Sequence, residues 1–220
     1  MTTRPATRRG APPPGPAPAT DLRTRILEVS AELVAREGLA ALSMREVARR
    51  AGVTHQAPYH HFADRESILA ELVRSGFDEL ARRLDRAIGR ALPRGARAVL
   101  ADTGMAYVAF ALENEGLFRT MFRPEIVDHS RFADAQAAGD RAYAQLERMV
   151  AEVHGRCTPE LATMHWAQVH GLAGLLLDGG LSHKLGGPRA QRAHARAALD
   201  VHAALCVGEG PVARGARIRH

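Results

Sequence analysis

Lysine is almost missing from this chain of 220 residues: Lys184 is the only one, and every other basic side chain is arginine. With abundant Ala, Gly and Pro, that bias points to a GC-rich genome rather than to selection for phosphate binding. Cysteine is nearly as scarce. Cys157 and Cys206 stand far apart without metal-ligand spacing, which excludes a disulfide scaffold and predicts two buried free thiols in a reducing compartment. No apolar run approaches the roughly 20 residues that span a bilayer; the longest, Leu172 to Leu177, is short. Arg4, Arg8 and Arg9 are followed by six prolines between Pro5 and Pro18 instead of an apolar h-region, so a secretory signal is excluded and a cytoplasmic location expected. Also lacking are strand-like alternation, repeats at solenoid periods, a nucleophile elbow and a phosphate loop. Cys157 with His154 or His165 is the only nearby nucleophile and base. Neither an enzyme nor a resident cofactor is expected.

What is present is a composition able to build a core, 46 % hydrophobic. The net charge of +6 is poor evidence for nucleic acid, because the two tails hold most of it and the body is nearly neutral. Residues 1–20 are rich in Pro, Ala and Arg without periodicity and are expected to form a disordered basic arm. A helical domain over 21–66, a second over 67–207 and a flexible tail over 208–220 complete the predicted organisation.

Apolar periodicity predicts an all-α fold of about nine helices. From Asp21, a candidate cap, Leu22, Ile26, Val29 and Leu33 share one face until Gly38. Asp64 caps a long helix in which Leu69, Leu72, Val73, Phe77, Leu80 and Leu84 hold the period to about Leu92. Pro93 and Gly95 break the chain. Further helices are predicted over Ala96 to Asn114, with Gly116 punctuating its end, over Leu117 to Arg123, and from about Asp128 or Ser130 to His154. Thr158 and Pro159 open another that runs past Trp166 and His170 to Leu177. A loop with Gly186 and Gly187 then leads to a last helix over 189–207.

The most informative stretch is SMREVARRAGVTHQAPYHHF, Ser43 to Phe62. Ser43 with Glu46 three residues on reads as a capping box. Met44, Val47, Ala48 and Ala51 form a narrow apolar face, and Gly52 suits a left-handed C-terminal position. Thr54 then caps a second short helix, His55 to about His61, whose outward residues are His55, Gln56, Tyr59 and His60. This is the shape of a helix-turn-helix DNA reader. A metal site among His55, His60 and His61 is not expected, because adjacent helical residues point about 100° apart.

These residues resemble the N-terminal domain of the TetR family of bacterial transcription regulators. The matching positions are Gly38, Ser43, Arg45, Ala48, Ala51, Gly52, Val53, Tyr59, His61, Phe62 and Arg65. Trp166, His170 and Gly171 on one helix, with Leu117-Phe118 and Met121 to Glu125 upstream, resemble a branch of that family with a ligand-binding C-terminal domain. The resemblance implies a homodimeric regulator on a double-stranded DNA operator, with no membrane partner. Repression relieved by a small, largely apolar effector is the leading expectation. A ligand-dependent activator, or a helical binding protein that has lost its operator, is the alternative. It further implies base contacts from Arg45, Thr54, His55, Gln56 and Ala57, flanked by His60, and phosphate contacts from Tyr59, His61 and Arg65. Pro58 stands where the family commonly has Leu, so distortion of the second helix is expected. Candidate effector contacts are Met105, Phe110, Phe118, Met121, Phe122, Met149, Trp166 and His170, residues that equally suit a packed core. In the implied dimer the last two helices of each subunit pair into a four-helix interface, and the effector moves the long linking helix.

Overall fold

The computed structural model describes residues 21–123 and 125–208, so the predicted arm over 1–20, Pro124 and the tail past its first residue lie outside the described residues. Nine α-helices and no strand occur among the described residues. α1 (Leu22–Glu37) buries Ile26, Leu33 and Val34, and the Ser30 hydroxyl between them donates to the Ile26 carbonyl at 2.7 Å. Asp21 occupies the N-cap of α1, but its side chain makes no capping bond. Gly38 (φ 81°) ends the helix, and a 3-10 turn, Leu39–Ala41, leads to α2 (Met44–Ala51).

α3 (Arg65–Ala91) is the spine of the molecule. Its start is fixed by a complete capping box: Asp64 Oδ1 accepts from the Ser67 N–H at 2.8 Å, and Ser67 Oγ accepts from the Asp64 N–H at 3.2 Å. Ile68, Leu69 and Val73 belong to the same apolar cluster as Ile26 and Val47, while Phe77, Leu80 and Leu84 continue that cluster as far as Leu199. One core therefore runs across the predicted boundary at 66/67. Around α3 pack α4 (Ala96–Glu113), α5 (Glu115–Met121) and α6 (Ala133–His154). α7 (Pro159–Leu177) and α9 (Pro188–Val207) lie against α4. A smaller cluster of Ile88, Val99, Leu100, Met149, Val150 and Ala203 closes the end far from α1 and α2. On the surface, Arg141 pairs with Asp78 at 2.6 Å and Arg148 with Asp85 at 2.5 Å, fixing the register of α6 on α3. Each such pair contributes only about 0–1 kcal/mol.

Four local expectations are corrected. Both thiols are exposed instead of buried: Cys157 sits in the short link after α6, and Cys206 on an exposed face of the last turn of α9. Gly116 does not close α4; Asn114 does, and Gly116 lies inside α5. The glycine serves a close approach, since a Cβ there would stand 2.6 Å from the Val34 carbonyl oxygen of α1. The link between α7 and α9 contains a one-turn helix, α8 (Ser182–Leu185). The second helix of the Ser43 to Phe62 stretch is not α-helical, as the next subsection describes.

Candidate nucleic-acid interface and interior cavity

The first site is built on α2. Ser43 Oγ accepts from the Glu46 N–H at 3.2 Å, but the reciprocal half of the predicted capping box is absent. The Glu46 carboxylate instead takes two bonds from Arg49 and one from Arg50, at 2.6–2.8 Å. Those bonds hold its pKa down at about 2. Glu37 also binds Arg50 at 2.6 Å. Two of the three arginines of α2 are thus neutralised within the fold. Arg45 is exposed and has no ion-pair partner among the described residues. At the other end Gly52 is left-handed (φ 67°, ψ 34°), and the Val53 and Gly52 N–H groups return to the Ala48 and Arg49 carbonyls at 3.0 and 3.3 Å. This is the Schellman closure that glycine permits.

After it, residues Ala57–His60 form a 3-10 helix in place of the predicted α-helix. Pro58 is the physical reason. It has no N–H to give an i−4 carbonyl and its ring crowds residue 57. Ala57 and Tyr59 donate to Thr54 and Gln56, and His61 to Pro58, three residues back in each case, at 3.0–3.1 Å. In this geometry side chains three apart eclipse, which aligns Gln56 with Tyr59 along one edge. Pro58 and Phe62 are buried as pegs, whereas Thr54, His55, Gln56, Tyr59, His60 and His61 are exposed and Ala57 is half-buried. The His55 and Tyr59 rings lie 5.8 Å apart. No side-chain capping bond opens the segment.

Arg65 departs from its expected role. Its Nε and one terminal nitrogen donate at 2.8 Å to the Leu42 and Leu39 carbonyls. The guanidinium therefore ties the start of α3 to the turn before α2 with two of its five N–H donors.

The second site is a cavity of about 410 Å³ between α3, α4, α6 and α7. Of the eight candidate effector contacts, Met121, Phe122, Met149 and Trp166 line it. Phe110 is wholly buried with Arg83 over its ring at 5.6 Å, and Met105 packs at the edge of the core, so neither reaches the cavity. Phe118 and His170 stand one layer behind, their rings 5.4 Å apart, and His170 meets Phe122 at 5.0 Å. Tyr107, absent from the candidates, organises this layer. Its hydroxyl shares a hydrogen bond with His170 Nδ1 at 2.8 Å and accepts from Trp166 Nε1 at 3.3 Å. Burial pushes the Tyr107 phenol up and the His170 imidazole down, so both are neutral at pH 7. The Thr103 hydroxyl lines the cavity, buried and without a hydrogen-bond partner among the described residues. Asp140 and Tyr143 complete the polar lining from α6. His165 borders the same space, and burial first, then neighbouring His154 and His202, lowers its pKa to about 4.

Two family models match the chain. One, described as bacterial regulatory proteins of the tetR family, covers residues 26–72, and the other, a tetracycline repressor-like C-terminal domain, covers residues 100–204. A solved structure from Rhodococcus sp. RHA1, titled a protein with unknown function, is 31 % identical, with a TM-score of 0.71 over 88 % of this chain and 99 % of that one. The TetR family transcriptional regulator PfmR from Thermus thermophilus superposes with a TM-score of 0.62 over 86 % of this chain and 97 % of its own, at 23 % identity, a likeness of fold. Among curated proteins, the transcriptional repressor KstR2 of Rhodococcus jostii (strain RHA1) is 38 % identical over 71 residues, which is 30 % of this chain and 35 % of KstR2. The chain thus spans about a third of the length of the curated relatives it matches.

Proposed function

Because the chain belongs to the TetR family of bacterial regulatory proteins, we propose that it is a cytoplasmic, homodimeric repressor, not an enzyme, released from its operator by a small, largely apolar effector. The observation that carries this reading is one helix, α3, reaching from a row of exposed Arg, Gln, Tyr and His side chains to a largely apolar cavity. Arg45 offers a free fork for guanine, and Gln56 a bidentate amide for adenine. Tyr59 and His61 present O–H and N–H donors to phosphate oxygens. Arg65 serves the fold first, its terminal nitrogens reaching DNA only as a supplement.

No helix among the described residues is long and apolar enough to cross a membrane. Met164 and Leu175 on α7, and Val201 and Leu205 on α9, are instead exposed; pairing them with a second copy supplies the two reading heads that a pseudo-palindrome requires. KstR2, similar over 71 residues, is named a repressor, which favours repression here.

The route of release runs through α5. Met121 at its end lines the cavity, while Gly116 near its start rests on the α1 backbone at Val34. An effector that displaces Met121 and Phe122 shifts α5 against α1 and tilts α3. It must prefer the splayed dimer by about 1 to 3 kcal/mol, roughly tenfold to a hundredfold in operator affinity. Electrophoretic titration on the DNA upstream of its own gene tests the reading. Specific retardation that Arg45→Ala and Tyr59→Ala abolish is expected; sequence-independent binding unchanged by either substitution sinks it.

A further inference from the structure

At the end of the molecule far from the reading head, three helices bring together side chains separated by tens of residues in sequence. His154 closes α6, His165 lies on α7, and His202 and Cys206 share one face of α9 at i and i+4. His165 Nδ1 is 3.3 Å from His202 Nε2, and Cys206 Sγ is 3.7 Å from either nitrogen of His202. The donor atoms of His165, His202 and Cys206 all lie within 4.8 Å of one another. We propose that these three residues form a binding site for a borderline-soft divalent transition metal, Zn²⁺ by its donor set, that clamps α7 to α9.

The distances suit the ion. Bonds of about 2.05 Å to nitrogen and 2.3 Å to sulfur in a tetrahedron give edges of about 3.3 Å between nitrogens and about 3.6 Å between nitrogen and sulfur. Two edges are already present at 3.3 and 3.7 Å. Cys206 is exposed on the last turn of α9, so its side chain is free to contract the third. The ligand tautomer is prepared as well. His154 Nε2 stands 2.8 Å from His165 Nε2; when His165 donates that N–H to His154, its Nδ1 lone pair is left for the metal, the orienting contact common behind ligating imidazoles. Coordination expels the thiol proton of Cys206 to solvent, and the thiolate replaces it as ligand. Three protein ligands leave the fourth position for water.

This inference stands apart from operator binding, and metal binding alone tests it. Full-length protein, freed of metal by chelator and kept reduced, is titrated with Co²⁺ as a spectroscopic stand-in. A thiolate-to-cobalt charge-transfer band saturating at one equivalent per protomer, bleached by Zn²⁺, is expected. Cys206→Ser, an exposed substitution that leaves thermal stability unchanged, removes the band. Cys157→Ser retains it. His154→Ala keeps the band but weakens Co²⁺ affinity about 10- to 100-fold, as loss of an orienting partner does. Absence of the band in the parent protein, or its persistence in Cys206→Ser, overturns the proposal.

Discussion

The reading head and the cavity beside the middle of α3 use the same residue types in opposite ways. In the reading head a tyrosine and three histidines (Tyr59, His55, His60 and His61) stand in solvent. Around the cavity Tyr107 and His165 are buried and His170 is half-buried; the ring nitrogens and the phenol partner one another, and the imidazoles are held neutral. Solvation accounts for the contrast. An aromatic polar group left in water remains free to bond a nucleic acid, whereas one withdrawn from water must find a partner inside and then specifies the packing around it. Exposure separates side chains that recognise from side chains that shape.

The sharpest way to break this contrast is Arg45→Ala. If the outer residues read and do not support the fold, operator affinity falls about 1 to 3 kcal/mol, up to a hundredfold, while the melting temperature stays put. A mobility-shift titration alongside calorimetry tells the two apart, and a fall in melting temperature would count against the contrast. Tyr107→Phe is the inward counterpart. It strands His170 Nδ1 and Trp166 Nε1, so urea unfolding should show a loss of about 1 to 3 kcal/mol, whereas Tyr59→Phe should cost almost nothing in stability.

Acidity should act on the inner set through His165. The folded pKa of His165 is about 4, below the roughly 6.5 of an unfolded histidine. Its contribution is complete above pH 6.5 and is lost as pH falls toward 4, because the unfolded chain takes the proton first. His165→Gln should flatten the fall in stability over that window, as thermal melts between pH 4 and 7 would reveal. The smallest effect belongs to Thr103. Removing an unpartnered buried hydroxyl with Thr103→Val should leave ligand-free stability unchanged or raise it by about 1 kcal/mol, yet weaken any effector that bonds there, as calorimetric titration with a bound effector would report.

The exposed row of the reading head is legible in the sequence because its residues are consecutive. Caps, Gly52 and the Tyr-x-His-Phe ending all act within twenty residues, so local physics writes them directly into the chain. What escaped there depended on competition between partners: Glu46 leaves its cap for Arg49 and Arg50, and Arg65 turns toward the Leu39 and Leu42 carbonyls. Pro58 was visible as a disturbance, and the 3-10 geometry is its outcome. The cavity was half legible. Met121, Phe122, Met149 and Trp166 were among the residues named, but Tyr107, Thr103 and His165 come from helices that are apolar nearly all round, where periodicity cannot say which neighbour a side chain meets. The same holds for Cys206, whose exposure is decided by which face of α9 turns toward the core.

The length of α3 has a mechanical consequence. Rising about 1.5 Å per residue, the part of α3 from Arg65 to Leu80 beside the cavity is a lever arm about 22 Å long, and a tilt of about 5° about Leu80 carries its first residue roughly 2 Å. In the proposed dimer, two such arms swinging outward change the gap between reading heads by about 4 Å, roughly an eighth of the about 34 Å between successive half-sites on DNA. In that reading, a displacement of Met121 reaches the reading heads as a mismatch that a stiff duplex does not follow.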